Sequence, residues 1–227
     1  MLVRGIMTTM SGSLGGITAA RNKGGQYLRA RVVPVNPSSF PQTSLRTIFG
    51  SLANSWGTTL TAAQRAAWDT YASNVTVVNR IGETINLTGF QQYIRSNTPR
   101  KQALLPQVDD GPTTMNIGDF SPMTVSIVGG GTTLSIAFDD TDDWVDEDDA
   151  AVLVLAGREQ AATINFFKGP YRFAGTVLGD ATTPPTTPVA VTSKFSYTSA
   201  NKGFVQVRVS RADGRLSATQ LLGAIAS

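Results

Sequence analysis

The chain has 227 residues, 41% of them hydrophobic, and a net charge of +3, which is enough apolar material for one large domain or two small ones. It contains neither cysteine nor histidine. Their absence excludes disulfides, thiolate and imidazole metal sites, and Ser-His-Asp or Cys-His catalysis, so no enzyme, metal site or cofactor is expected. No apolar run reaches the roughly 18 residues of a membrane helix. The opening MLVRGIMTTM has too short an apolar stretch for a secretory signal, so neither a membrane contact nor export is expected.

The small net charge hides a segregation. Residues 1–110 carry eleven Lys and Arg against four Asp and Glu (+7), whereas 111–227 carry eight against twelve (−4). The first acid is Asp69, and eight acids crowd into the eleven residues Asp139–Asp149. Such a split suggests two regions with different partners, or one that meets its opposite on a neighbouring copy.

Residues 1–33 are read as a basic, glycine-rich β-hairpin arm. ITAAR and QYLRARVV flank the turn NKGG, and the period of two puts Tyr27, Arg29 and Arg31 on one face with Leu28, Ala30 and Val32 on the other. The glycines of GSLGGITAARNKGG do not form a phosphate loop, because no Lys-Ser/Thr pair follows them. VPVNPSSFP, with three prolines, is a spacer.

Residues 34–110 are read as a small helical region with a short hairpin. Leu45, Ile48, Phe49, Leu52 and Trp56 recur at helical spacing from Thr43 to about Gly57. A second helix starts at Thr61, where TAAQ has the form of a capping box, and presents Ala67, Trp68, Tyr71 and Ala72. VTVVNRIGETINL forms a hairpin turning at Gly82, and a third helix runs from Gly89 to Asn97 until Pro99 ends it. These aromatics are core by their periodicity, with a sugar-binding platform as the alternative.

Residues 111–122 are read as a linker and 123–227 as an antiparallel β-sandwich. The segments MTVSIV, TLSIAF, AVLVLA, TINFF, YRFAGTVL, PVAVTSKFSY, FVQVRVS and LSATQLL are short, strand-like and separated by turn signals such as GGG and ADG. The fold class expected is therefore α+β and β-rich. FVQVRVSRADGRLS, with TLSIAFDDTDDW and AAVLVLAG upstream, resembles a fibronectin type III or immunoglobulin-like module. Phe204 stands near the place where such modules often carry a tyrosine that pins a loop.

A second resemblance lies at the start. SGSLGGITAARNKGGQYLRAR, then NPSS and TLTAAQRAAWDTYA, is similar to an uncharacterised type of protein from tailed bacteriophage genomes. The resemblance implies a non-enzymatic virion structural protein, such as a capsid decoration, cement or other head-associated component. Its partners would be other virion proteins such as the major capsid protein, and it would form a homo-oligomer within the virion after synthesis in the host cytoplasm.

Two candidate contact surfaces follow. Arg21, Lys23, Tyr27, Arg29 and Arg31 on the arm could meet an acidic protein surface, or nucleic acid through phosphate contact and stacking. Asp139, Asp140, Asp142, Asp143, Asp146, Glu147, Asp148 and Asp149 form an acidic loop that could face solvent, a cation or a basic partner. The loop lacks the glycine and terminal glutamate of an EF-hand. Besides the structural reading, a carbohydrate-binding or adhesion module and a nucleic-acid-binding accessory protein remain open.

Overall fold

The computed structural model describes residues 11–22, 25–79, 82–116 and 120–227. It is a mixed α+β, strand-rich protein with 34% strand and 22% helix, and its sheets are antiparallel. The chain divides into two compact units, residues 1–42 and 43–227. In the first unit, strands β1 (Gly12–Leu14), β2 (Ile17–Asn22) and β3 (Gly25–Ala30) form a sheet in the order β1-β2-β3. The hairpin of β2 and β3 matches the sequence reading, and β1 adds a third strand that three residues of GSL are too short to announce.

Helix α1 (Phe40–Thr58) is followed by α2 (Ala62–Asn74), the small hairpin β4 (Thr76–Val78) and β5 (Thr84–Asn86), and α3 (Gly89–Gln102). Both later helices start with a reciprocal capping box. Thr61 pairs with Gln64 in α2 and Thr88 with Gln91 in α3, satisfying amide groups that a helix N-terminus leaves open. Leu52, Leu60, Trp68, Tyr71 and Tyr93 make one core, in which the Trp68 ring meets Tyr93 edge-on at 5.6 Å. The expected end of α3 at Pro99 is corrected: the helix runs through it to Gln102. Proline removes only one helical donor, and the last turn is held from outside by Arg100.

Segment 104–112 packs closely on the helices. Asn97 brackets Val108, its Nδ2 donating to the Val108 carbonyl (3.0 Å) and its Oδ1 accepting from the Val108 amide (2.8 Å). The Trp68 indole donates to the Asp109 carbonyl (2.9 Å), and a Cβ on Gly111 would stand 2.6 Å from the Ala67 backbone.

The remaining seven strands are β6 (Thr124–Ile127), β7 (Gly131–Ala137), β8 (Ala151–Gly157), β9 (Tyr171–Leu178), β10 (Val189–Tyr197), β11 (Lys202–Ser210) and β12 (Gln220–Ile225). They form two antiparallel sheets, ordered β10-β7-β6 and β12-β11-β8-β9. Alternate residues of both sheets share one core, including Ile127, Leu134, Ile136, Val152, Val154, Val191, Val205, Val207 and Val209. Tyr197 on β10 is fully buried and its hydroxyl donates to the Gly157 carbonyl at the end of β8 (2.9 Å), tying one sheet to the other.

Two strand expectations are corrected. TINFF forms no strand, because β8 already has β9 and β11 as neighbours; Ile164 instead closes a turn on Ala161, and Phe167 stacks on Phe204. LSATQLL is not one strand: Leu216 makes an isolated bridge to Ser210, the Ser217 amide donates to the Val209 carbonyl (2.9 Å) while its hydroxyl accepts from the Val209 amide (2.9 Å), and the strand itself begins only at Gln220.

The outer face of the four-stranded sheet is covered near one end. Ala151 and Leu153 on β8 lie opposite Ser210 and Arg208 on β11, and Ala151, Leu153 and Ser210 are buried although none points into the inter-sheet core. Arg100 of α3 reaches onto this face at Ser210 (3.3 Å).

Candidate interaction surfaces

The register of the first unit decides which side chains share a face. Thr18 lies opposite Arg29, Ala20 opposite Tyr27 and Ser13 opposite Thr18, so Ser13, Thr18, Ala20, Tyr27, Arg29 and, by continued alternation, Arg31 form a polar, cationic side. Ile17 lies opposite Ala30 and Leu14, Ala19 opposite Leu28, and Arg21 opposite Gln26. The other face is thus Leu14, Ile17, Ala19, Leu28 and Ala30, with Arg21 at its end. Arg21 is separated by the pleat from Tyr27, Arg29 and Arg31, and Lys23 lies outside the described residues.

No described residue of 1–42 is buried. Leu14 is 88% exposed and Ile17 51%, and Val32, Val33 and Val35 beyond the sheet are exposed as well. A short sheet ordinarily needs an apolar face covered by something to be stable. Here the apolar face exists, and Leu14 and Ile17 on it are exposed.

The acidic loop is anchored from within. Trp144 and Val145 are buried in the inter-sheet core. Asp142, itself nearly buried, accepts from the Ser121 amide (2.9 Å) and the Trp144 indole (3.4 Å). Asp139 accepts from the Thr141 hydroxyl (2.7 Å) and amide (3.0 Å), and those bonds hold its carboxyl below the usual carboxylate range. Glu147 pairs with Arg211 and accepts from the Ala212 amide, and Asp148 accepts from the Ala181 amide (2.9 Å). Asp143 stands 3.5 Å from the Arg211 guanidinium with its side chain largely exposed. Asp140, Asp146 and Asp149 face solvent. Among the described residues no three acidic side chains converge as a metal site would require. No helix there is long and apolar enough to cross a membrane.

Two features were not visible in the sequence. The first is Arg100, only 1% exposed, whose Nε donates to the Pro106 carbonyl (3.0 Å). Its Nη1 donates to the Asp149 carbonyl (3.1 Å), the Ser210 hydroxyl (3.3 Å) and the Arg211 carbonyl (2.7 Å). The second is a groove of about 440 Å³ between α1 and α3, walled by Phe49, Phe90 and Ile94 and rimmed by Thr88, Gln91 and Arg95. A run such as RSNTPRKQ reads as a solvated helix end, so only the fold reveals that its second arginine is interior.

Comparisons of the chain with protein-family models, with curated proteins and with solved structures gave no match. The class that the fold itself defines is a strand-rich α+β protein whose chain divides into two compact units.

Proposed function

We propose that this is a non-enzymatic structural protein whose N-terminal sheet is an assembly arm: in the particle it lies on a neighbouring copy, burying Leu14, Ile17, Ala19, Leu28 and Ala30. The observation that carries the reading is the amphipathic sheet with no buried residue. Covering such a face yields interface area for little built-in core, and Arg29, Arg31 and Arg21 add charge attraction to acidic surface. The exposed Asp140, Asp143, Asp146 and Asp149 supply a surface of that sign on the second unit.

The more specific reading follows the N-terminal resemblance. The protein serves as a capsid decoration, cement or other head-associated component of a tailed bacteriophage, with the major capsid protein among its partners. In this reading the second unit carries an immunoglobulin-like sandwich. Its strand order supports this: β6, β7 and β10 take the places of strands A, B and E, and β12, β11, β8 and β9 those of G, F, C and C′.

Hydrogen exchange of the full chain tests the arm directly. At low protein concentration amides of 11–31 should exchange fast, and at high concentration they should become protected while 123–227 stays unchanged. Equal, slow exchange of the arm at every concentration would show that it needs no neighbour.

A further inference from the structure

The two packed sheets of the second unit have chemically different ends. Strand β8 leaves the acidic loop at Ala151 and finishes at Gly157, and β9 returns from Tyr171, opposite Gly157, to Leu178, opposite Ala151. Ser210 of β11 also lies opposite Ala151, while the Tyr197 hydroxyl of β10 donates to the Gly157 carbonyl. At the first end stand Asp139–Asp149 and Asp180, whose amide donates to the Val145 carbonyl (3.0 Å). At the second stand Arg158, Lys168, Arg172, Lys194 and Lys202. The seven residues of β8, at about 3.3 Å each, hold the two ends about 20 Å apart.

One ring gathers the arginines of the basic end. Arg172 on β9 lies opposite Ala156, Arg158 follows the end of β8, and each guanidinium stands 5.9 Å from the centre of the Phe195 ring. The Lys202 ammonium lies 5.4 Å from the Phe204 ring, and its backbone is bridged to Gln160. Lys168 follows Phe167, which stacks on Phe204, and Lys194 adjoins Phe195. Arg158, Lys168, Arg172 and Lys194 are exposed and Lys202 is half-buried. Across residues 150–179 and 188–210 the sole acid is Glu159. Its carboxylate is already engaged by the Thr198 amide (2.6 Å) and by Asn201 Nδ2 (3.2 Å). Among the described residues the five cations form no ion pair. At the acidic end Asp139, Asp140, Asp143, Asp146, Asp148 and Asp149 are exposed, and of these Asp143 alone pairs with a cation, Arg211.

We infer that the basic end binds the acidic loop of a second copy, so that second units stack end to end. The two surfaces are complementary in charge, and about 20 Å of strand keeps them from neutralising each other within one copy. Planar guanidiniums suit the carboxylates of the loop, which they can meet in pairs. A nucleic acid would face the opposite balance, because residues 111–227 carry a surplus of four acids. A contact between two different surfaces is heterologous and repeats from copy to copy, as a ring or an open row. Exposed ion pairs are individually weak, so free copies meet only transiently in dilute solution. The contact does not require the arm, but copies already held together by it would form the contact far more readily.

Zero-length carbodiimide cross-linking of the concentrated full chain at low salt, in an equal mixture of isotope-labelled and unlabelled protein, reads the contact by mass spectrometry. Links should join Lys168, Lys194 or Lys202 of one copy to carboxylates of Asp139–Asp149 of another, a pairing that the separation of the ends forbids within a copy. They should fade at about 1 M salt, where screening acts over about 3 Å. Arg158→Glu/Arg172→Glu keeps all three amines and should give about tenfold fewer of these links. Arg158→Lys/Arg172→Lys should retain most of them, and equal melting temperatures would show that the difference lies in charge. Absence of the links from wild type, or an undiminished yield from Arg158→Glu/Arg172→Glu or at high salt, would overturn the inference. So would an oligonucleotide held by these lysines while no link to the acidic loop forms.

Discussion

Replacing Arg100 by methionine should cost the second unit about 2 kcal/mol. The substitution keeps an unbranched stem of similar reach and removes the guanidinium. The carbonyls of Pro106 and Asp149 and the hydroxyl of Ser210 lose this donor at once, whereas the Arg211 carbonyl keeps the Gly214 amide (3.0 Å). A buried acceptor left unpaired costs about 1–3 kcal/mol. Taking the low end for each of the two carbonyls left unpaired gives about 2 kcal/mol. The low end is the right one, because burial disfavours the charged form of Arg100 and methionine escapes that penalty. For a unit of this size the loss should lower the melting temperature by about 4–8 °C. Differential scanning calorimetry of the full chain measures it. Arg100→Lys should recover little, since an ammonium cannot span acceptors that a planar fork reaches together. A loss under about 2 °C for Arg100→Met would refute the reasoning, and would mean that water replaces the guanidinium at no cost.

Tyr197→Phe should cost about 1–2 kcal/mol by orphaning the Gly157 carbonyl, with little change in packed volume, read from urea unfolding. Gly89→Ala should destabilise the helical region, because the new Cβ would lie 2.6 Å from the Asp69 backbone nitrogen and displace the bond from the Gly89 amide to the Asp69 carboxylate; loss of α2 and α3 signal at lower urea would show it. Acid should weaken the fold through Asp139, Glu159 and Asp180. Glu159 accepts first from the Thr198 amide and then from Asn201, Asp180 from the amides of Thr183 and Thr182, and each is held below its ordinary value. A depressed carboxyl contributes stability above its unfolded pKa and loses it as pH falls through the folded one, so the loss should begin near pH 4–5 and continue below it. Glu159→Gln should flatten that dependence in acid titrations followed by circular dichroism.

Most strands of the second unit were legible because each has one buried face, and alternation such as Val205, Val207, Val209 against Gln206 and Arg208 is a local signal. TINFF carries the same local signal and forms no strand, since pairing depends on which edges are open, a property of the whole sheet. The capping box at Thr61 was read from TAAQ; TGFQ at Thr88 has the same form and could have been read in the same way. Pro99 shows the converse case, in which tertiary bonds around Arg100 carry the helix past a local stop signal.

The candidate surfaces were legible to different depths. Alternation placed Tyr27, Arg29 and Arg31 together, but the position of Arg21 on the opposite face needed the register of β2 against β3. The density of Asp139–Asp149 is plain in the sequence. Which oxygens are already occupied is not, because their donors, Ser121, Ala181, Arg211 and Ala212, come from distant segments.

The most direct test of the assembly arm is the mass of the full chain in solution by light scattering, over a range of concentration and salt, beside the variant Leu14→Asp/Ile17→Asp. The account predicts a defined oligomer for the wild type, weakened by salt through its arginines, and a monomer for the variant with the second unit still folded. A monomer for both, or the same oligomer for both, would contradict it.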